Sequence, residues 1–324
     1  MPLCVQYKEI NGTRLTADIY LPSSQGKRPV LINIHGGAFM LGSSKMVSLP
    51  QIEDCLSRDW IVVVPNHRLC PAVNILEGPI SDCRDLLAWI YDGHLDEFLR
   101  VQSEGSDGST LVSCDLDKVM AFGTSSGGTL ALALCFDVPR TPAAILNFYA
   151  PVNFSHPFWT SPLPHVAARL PGTLTEQFMK KVYDEFPVPS GGETSLEGQS
   201  VGPDFSRPRD AFAFTAIANG SVIDRCYPPP LDRTLIDPLV RVADGSFPPT
   251  YIVHGEADTM VPPELSRGLF ATLKENGVRC GMTEVPGEEH TFAMRMVKGS
   301  ATWQLQRQGF DFLEEIISGG NSTL

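Results

Sequence analysis

Short apolar runs recur along this chain, and each has the length and composition of a buried strand. They occupy residues 30–34, 60–64, 119–122, 143–149, 249–255 and 280–285. A seventh segment, residues 16–22, alternates apolar with polar side chains, and this pattern predicts an edge strand. Polar or glycine-rich turns follow most of these runs, including a loop predicted at 103–109.

Amphipathic stretches separate the apolar runs and repeat their apolar positions with helical spacing. They lie at residues 51–57, 80–101, 129–136, 263–276 and 302–318, and a frayed tail is predicted from 319 onward. Strands that alternate with helices pair in parallel, with the helices on both faces of the sheet. The pattern therefore predicts an α/β fold with a mostly parallel central sheet flanked by helices.

The alternation stops between residues 154 and 247, where proline, glycine and aromatic residues are frequent. Helices are predicted within this segment at 174–186 and 209–219. A structureless loop of this length is uncommon inside a compact domain. We therefore expect an inserted cap at 154–247, between a first core part at 1–153 and a second at 248–324.

Composition and charge narrow the function classes. The chain has 324 residues and a net charge of −12, which argues against a nucleic-acid partner. No run approaches the roughly 18 apolar residues of a membrane span, and no signal peptide is visible at the start. Eight scattered cysteines without a C-x-x-C pair predict free thiols and no structural zinc. We expect a cytoplasmic protein without a cofactor, and its oligomeric state stays open.

The strongest motif follows the apolar run at 119–122. Gly123-Thr124-Ser125-Ser126-Gly127 fits G-x-S-x-G, and a helix-like run comes next. A sharp strand-to-helix turn of this kind exposes the hydroxyl of its central serine. The pattern predicts that Ser125 is a nucleophile, although a glycine-rich turn with an incidental serine is the simpler alternative.

A serine nucleophile needs a base, and the base needs an orienting carboxylate. Among seven histidines, only His290 follows the last predicted strand, and it is the predicted base. Asp258 follows the preceding strand and is preferred to Glu256, Glu288 and Glu289 as the carboxylate. The chain order Ser, Asp, His is that expected for an α/β-hydrolase.

The tetrahedral intermediate of acyl transfer also needs N–H donors. Ser126 supplies one backbone N–H directly after the nucleophile, and the glycines at Gly36 and Gly37 are expected to supply the others. Ala38 and Phe39 next to this loop, with Phe158 and Trp159 in the insert, are predicted to line the substrate pocket. Phe154 and Phe178 are further candidates for that lining. No metal site is predicted.

With these motifs, the chain resembles the hormone-sensitive-lipase-like carboxylesterase branch of the α/β-hydrolases (α/β-hydrolase fold-3). The residues that carry the resemblance are His35-Gly-Gly-Ala-Phe39, Asn66-His-Arg-Leu-Cys-Pro71, Asp82, Trp89, Gly123-Thr-Ser-Ser-Gly-Gly128, Asp258 and His290. The chain departs from the family pattern at Ala38, where a third glycine is usual, at Asn66-His67 in place of Asp-Tyr, and at Ser126. The resemblance implies hydrolysis of carboxylic esters.

The expected function is a serine hydrolase that cleaves a carboxylic ester or lactone of a small to medium apolar substrate through an acyl-enzyme. An acyltransferase, a cyclase or a product-releasing enzyme of a biosynthetic pathway would use the same acyl-enzyme. Kynurenine formamidases carry a similar His-Gly-Gly loop, so an arylformamidase is a neighbouring option. A non-catalytic small-molecule receptor on this scaffold is the fourth alternative.

Overall fold

The computed structural model describes residues 1–103, 112–192, 202–243, 247–294 and 296–319. Its strands are β1 (Leu3–Ile10), β2 (Thr13–Tyr20), β3 (Gly26–Ile34), β4 (Ile61–Pro65), β5 (Val112–Thr124), β6 (Ala144–Phe148), β7 (Thr250–Gly255) and β8 (Cys280–Val285). Its α-helices are α1 (Leu49–Ser57), α2 (Ser81–Tyr91), α3 (His94–Ser103), α4 (Ser126–Leu132), α5 (Pro164–Ala167), α6 (Glu176–Met179), α7 (Pro208–Ala218), α8 (Val222–Cys226), α9 (Pro238–Val242), α10 (Pro263–Glu275) and α11 (Ala301–Ile317). Single turns of 3₁₀ or π-helix connect several of them.

The described strands form one sheet in the order β1-β2-β4-β3-β5-β6-β7-β8. β2 pairs antiparallel with β1 and with β4, and all the other neighbours are parallel. The predicted mostly parallel sheet is therefore confirmed. The prediction of an edge strand at 16–22 is wrong, because β1, which the apolar pattern did not single out, covers β2 and forms the edge itself.

Alternating side chains of the central strands build a core on each face of the sheet. In β3, Val30 and Ile32 pack on one face with apolar residues of α2, α4 and α10, whereas Leu31 packs on the other with α1 and α11. Because both faces are covered, these strands read as continuous apolar runs and not as alternating ones. This arrangement leaves the carboxyl edge of the parallel strands free for the loops that follow them.

Two predicted helices differ from those observed. The single stripe at 80–101 is two helices, α2 and α3, separated at Gly93, whose φ of 84° lies in the left-handed region that ends a helix. The predicted helix at 174–186 is the short α6 followed by a 3₁₀ turn at Lys180–Asp184. The loop predicted at 103–109 and the tail predicted from 319 lie almost entirely outside the described residues.

The segment at 154–247 contains α5 to α9 and is tied to the rest of the chain by hydrogen bonds. The buried guanidinium of Arg209 in α7 donates to the carbonyl oxygens of Met40 (2.7 Å) and Cys70 (2.6 Å), and it pairs with Glu185. Backbone N–H groups of Leu69 and Gly192 add further bonds across this boundary. The segment is therefore anchored next to the loop that follows β3.

Cysteine pairing and membrane spans were two further points of the sequence prediction. All eight cysteines lie in the described residues and are free, and six of them are buried. None of the described helices combines the length and the apolar character needed to cross a membrane. The cytoplasmic location stays a prediction.

Candidate active site

Ser125 lies at the sharp turn between β5 and α4. Its backbone has a φ of 51° and a ψ of −128°, a combination that is sparsely populated for residues other than glycine. Its N–H donates to the carbonyl oxygen of Phe148 at the end of β6 (2.9 Å), which holds the turn against the neighbouring strand. Strain of this kind is common at functional sites and is maintained here by the surrounding sheet.

The glycines on either side of Ser125 are required by space. A Cβ on Gly123 would lie 2.1 Å from the carbonyl oxygen of Gly127. A Cβ on Gly127 would lie 2.2 Å from the oxygen of Ile34 and 2.4 Å from that of His35. Because backbone atoms cannot yield as a flexible side chain would, these contacts are the physical reason for glycine at both positions of the motif.

The structure brings the three predicted catalytic side chains into one hydrogen-bonded chain. Nε2 of His290 lies 2.9 Å from Oγ of Ser125, and Nδ1 of His290 lies 2.6 Å from Oδ2 of Asp258. Asp258 follows β7 and His290 follows β8, so both reach Ser125 across the carboxyl edge of the sheet. The buried ring of Tyr149 packs against the His290 ring at a centroid distance of 4.6 Å.

The environment of Asp258 stabilises its ionised form. Its Oδ1 accepts the backbone N–H groups of Met260 (2.8 Å) and Val261 (2.9 Å), while its Oδ2 faces His290 and lies 3.2 Å from Nε2 of His254. Burial alone would raise the pKa of Asp258. The two imidazoles and their hydrogen bonds outweigh burial and hold that pKa below its ordinary value.

The competing carboxylates are placed elsewhere. Glu256 is exposed to solvent. Glu289 accepts the backbone N–H and the hydroxyl of Thr259 (3.3 and 3.1 Å), and Glu288 accepts the hydroxyl of Thr302. In the part of the chain that the structure describes, Asp258 is therefore the carboxylate that contacts the His290 ring.

The loop that follows β3 packs directly on the serine turn. A Cβ on Gly36 would lie 2.9 Å from the oxygen of Thr124 and 3.1 Å from Cβ of Ser125. Gly37, Ala38 and Phe39 have φ values of 111°, 54° and 63°, so three consecutive residues adopt the left-handed region. Gly36 thus packs against the serine turn, and Ser126 directly follows Ser125 in the chain. The role of Gly36, Gly37 and Ser126 as oxyanion donors stays a prediction.

His35, at the start of this loop, is fully buried and is held by an aromatic stack. Its ring lies parallel to that of His67 at a centroid distance of 4.5 Å, and its Nδ1–H donates to the carbonyl oxygen of Gly36 (2.8 Å). Burial lowers the pKa of His35 to about 3, helped by the neighbouring His67. His67 is one of the two positions where the sequence departs from the pattern it resembles, and its ring is buried in this stack.

A cavity opens beside Ser125 and His290. It has an empty volume of about 640 Å³, part of it open to solvent, and all four predicted pocket residues line it: Ala38, Phe39, Phe158 and Trp159. Trp159 is buried, and its Nε1–H donates to the carbonyl oxygens of Val152 and Asn153. Phe154 and Phe178, the two further candidates, are not among the residues that line the cavity. Phe154 instead packs edge-to-face behind Trp159.

Much of the cavity wall was missed by sequence reasoning. The missed apolar residues are Pro151, Leu163, Ile217, Val222, Ile223, Met260 and Val261. Most of them belong to the segment at 154–247, chiefly to α7 and α8. An apolar residue there carries no local sign of whether it faces a cavity or a core. The position of Met260, two residues after Asp258, is the one signal that could have indicated it.

Comparison with protein families yields two matches in separate parts of the chain. The BD-FAE family matches residues 17–156, and the prolyl oligopeptidase family matches residues 232–320. The two matched ranges contain Ser125, Asp258 and His290. The interval that neither range covers falls inside the segment at 154–247.

Among curated proteins, the chain is similar to non-reducing polyketide synthases. It is 30% identical to one from Preussia isomera and 29% identical to one from Stachybotrys bisbyi, over 95% of this chain in both cases. The chain spans about 14% of the length of each of these relatives. The likeness therefore concerns one portion of much larger proteins.

Among solved structures, the chain is similar to a Staphylococcus aureus protein of unknown function, with 20% identity and a TM-score of 0.67. The match covers 97% of this chain and 99% of that one. It is also similar to an esterase of Thermogutta terrifontis solved with bound butyrate, with 18% identity, a TM-score of 0.61, and coverage of 99% and 94%. At these identities the likeness is one of fold.

Proposed function

We propose that this chain, a member of the α/β-hydrolase superfamily, is a serine hydrolase that forms an acyl-enzyme on Ser125 and cleaves a carboxylic ester of an apolar acyl group. The observation that carries this proposal is the hydrogen-bonded chain from Ser125 through His290 to Asp258, together with the apolar cavity that Ser125 and His290 line. Nucleophile, base and orienting carboxylate are the parts that such chemistry requires.

In the acylation step, Oγ of Ser125 attacks the carbonyl carbon of the substrate while Nε2 of His290 takes the hydroxyl proton. Asp258 holds Nδ1 of His290 protonated, so that Nε2 is free to accept. Backbone N–H groups of the 36–37 loop and of Ser126 are proposed to stabilise the oxyanion. His290 then donates the proton to the leaving alcohol, and the acyl group remains on Ser125.

In the second step, His290 removes a proton from an incoming nucleophile, which attacks the acyl-enzyme and releases the acyl group. Water as nucleophile gives the acid, whereas a hydroxyl of the acyl chain itself gives a lactone. The same residues serve both outcomes. The outcome therefore depends on whether the bound acyl chain folds back over Ser125 and excludes water.

We propose that residues 154–247 are a cap whose α7 and α8 wall the acyl side of the cavity. Ile217, Val222 and Ile223 from these helices line it together with Ala38 and Phe39. The polar lining groups besides the catalytic pair are few, and the hydroxyl of Ser161 already donates to the carbonyl oxygen of Pro157. Such a wall favours an acyl chain without polar substituents near its carboxyl carbon.

Phe158, in the 3₁₀ turn Pro157–Thr160 of the same segment, is the cavity residue whose trimming should change acyl preference. It lines the cavity and is half-buried, and Phe158→Ala enlarges the space for longer acyl chains. We expect the kcat/KM ratio of octanoate to acetate p-nitrophenyl esters to rise about 3- to 10-fold, since a few buried methylenes are involved. Initial rates across a chain-length series measure this ratio.

Trp159→Ala is the matched control for this prediction. The Trp159 ring is anchored by two hydrogen bonds and by its contact with Phe154. Its removal should therefore lower the melting temperature and lower kcat/KM by a similar factor for every ester in the series. If Phe158→Ala instead behaves like Trp159→Ala, Phe158 is core and acyl preference is set elsewhere in the cavity.

A second candidate function is release of a polyketide-type acyl chain from a carrier by transfer to Ser125. The observation that favours it is the similarity over 95% of this chain to portions of polyketide synthases. A carrier-bound acyl chain is a carboxylic acid derivative like an ester, so the acylation step is the same. The carrier takes the place of the leaving alcohol.

The two functions are separated by the leaving group and by the product. The purified chain should be assayed with one acyl group presented as a p-nitrophenyl ester, a simple alkyl ester and an N-acetylcysteamine thioester. A lactone and an aryl formamide are assayed beside them. A plain esterase is expected to prefer the activated ester and to give only the free acid. A releasing enzyme is expected to favour the thioester at least about 10-fold in kcat/KM over the corresponding simple alkyl ester.

The aryl formamide is the control for amide hydrolysis. Mass spectrometry identifies acid or lactone among the products. Turnover of the formamide alone would overturn both ester functions. If no substrate is turned over and a fluorophosphonate does not label Ser125, the non-catalytic alternative is favoured.

A further inference from the structure

His254 and Ser266 are two buried residues that extend the Ser125–His290–Asp258 chain beyond Asp258. Both residues are fully buried. His254 is the next-to-last residue of β7, and Ser266 lies in the first turn of α10. Nδ1 of His254 lies 2.7 Å from Oγ of Ser266, and its Nε2 lies 2.8 Å from the carbonyl oxygen of Val261.

The surroundings of the His254 ring determine its tautomer. Nε2 faces two acceptors, the carbonyl oxygen of Val261 and Oδ2 of Asp258 at 3.2 Å, so this nitrogen carries a proton. Nδ1 then accepts from the hydroxyl of Ser266. The ring therefore directs an N–H toward the Asp258 turn, and Ser266 keeps it in that orientation.

The turn that His254 contacts is the one that holds the Asp258 carboxylate. Met260 and Val261 donate their backbone N–H groups to Oδ1 of Asp258, and the next bond in the series runs from His254 to the carbonyl oxygen of Val261. Val261 and Met260 also line the cavity. One buried ring thus fixes both the carboxylate that orients His290 and part of the cavity wall.

We propose that His254, oriented by Ser266, is a positioning residue of this active site, which acts through Asp258 on His290. This inference rests on the proposed function, because it concerns the efficiency of the same serine chemistry. His254 does not reach the reacting atoms. It fixes the Asp258 turn and supplies a positive N–H dipole next to Oδ2.

Two substitutions at His254 test the roles of its two ring nitrogens separately. Glutamine places an amide N–H near the position of Nε2, and asparagine places its polar group near the position of Nδ1. His254→Gln therefore retains the donor toward Val261 and Asp258, whereas His254→Asn retains only the contact with Ser266. Because both remove a buried ring, both should lower the melting temperature by similar amounts.

We expect His254→Asn to lower kcat about 30-fold with KM little changed, and His254→Gln to stay within about 5-fold of wild type. The acid limb of the kcat/KM profile should move to higher pH in His254→Asn, because a carboxylate that has lost a donor binds the His290 imidazolium more tightly. In the described part of the chain, the titratable groups close to Asp258, besides His290 and His254, include Tyr149, whose ring contacts both imidazoles, Glu289, which is bonded to Thr259, and the exposed Glu256. None of these three groups is altered by the substitutions.

The reporter is the rate of phosphonylation of Ser125 by a fluorophosphonate, measured with ester turnover across pH. If the fluorophosphonate does not label the wild-type chain, the result contradicts the proposed function and does not test the role of His254. If wild type reacts and His254→Asn keeps its rate and acid limb, or His254→Gln loses as much as His254→Asn, the positioning role is wrong. If both His254 variants fail to fold, Ser266→Ala is the test. A kcat about 5-fold below that of wild type supports the proposal, and an unchanged kcat overturns it.

Discussion

Ser125→Ala is expected to lower kcat/KM for p-nitrophenyl esters by about 10⁴- to 10⁶-fold and to abolish labelling by a fluorophosphonate. The reason is that the alanine side chain leaves no atom able to form the acyl bond, while His290 and Asp258 stay in place. The change removes one oxygen at a position whose backbone is already strained, so the fold should be preserved. Intact-protein mass spectrometry and peptide mapping measure the label.

Labelling should be stoichiometric in wild type and confined to the peptide that contains Ser125. Heat-unfolded wild-type protein serves as the control, because an isolated serine hydroxyl is unreactive without its base. Label on another peptide, or label that survives Ser125→Ala in a folded protein, would assign the nucleophile elsewhere. Melting curves of both proteins establish that the comparison is between folded chains.

His290→Ala should have an effect on kcat as large as that of Ser125→Ala, since Ser125 then has no base at hydrogen-bond distance. Asp258→Asn should lower kcat about 10⁴-fold, because an amide group at this position favours the wrong tautomer of His290. Glu256→Gln is the matched control. It removes an exposed carboxylate two residues from Asp258 and should change kcat less than about 2-fold. Equal losses in the two acid variants would contradict the assignment of Asp258.

The pH profile of the wild-type enzyme follows from the same geometry. Activity should fall on the acid side when His290 becomes protonated and can no longer accept the Ser125 proton. Asp258 does not contribute to this limb, because its pKa is held below the ordinary carboxyl range and it stays ionised. Its contribution to stability is present above the unfolded-state pKa and is lost only as the pH falls through the lower folded-state value.

His35 adds a stability effect on the acid side that must be separated from catalysis. Its folded-state pKa of about 3 lies below the ordinary histidine value of about 6.5, so the unfolded chain binds a proton first as the pH falls. Stability from this residue is complete above about pH 6.5 and declines between that pH and about 3. Melting temperatures at each pH therefore accompany the rate profile.

Several features of this molecule were readable from local sequence alone. The apolar runs predicted the central strands because a strand buried on both faces needs apolar side chains at every position. Gly123 and Gly127 around Ser125 predicted the sharp turn, and the carbonyl oxygens that a Cβ would strike there are the physical cause of that pattern. The order of Ser125, Asp258 and His290 predicted their convergence, because parallel strands present their carboxyl ends at one edge.

Other features depended on contacts between residues far apart in the chain. The edge strand was assigned to 16–22 because alternation cannot reveal that β1, with a weaker pattern, lies outside it. The local sequence shows only that His254 lies at the end of a predicted strand. Its contact with Asp258 and its orientation by Ser266 required the packing of α10 on β7.

The cavity is the clearest case of a property that only the tertiary structure decided. An apolar residue such as Ile217, Val222 or Ile223 has the same local pattern whether it faces a core or an open cavity. The difference arises from where α7 and α8 are anchored, through Arg209 and its bonds to Met40 and Cys70. The sequence by itself determined the sheet, the serine turn and the identity of the candidate catalytic residues, because these are imposed by local sterics and strand order. The shape of the space around them was decided by long-range packing.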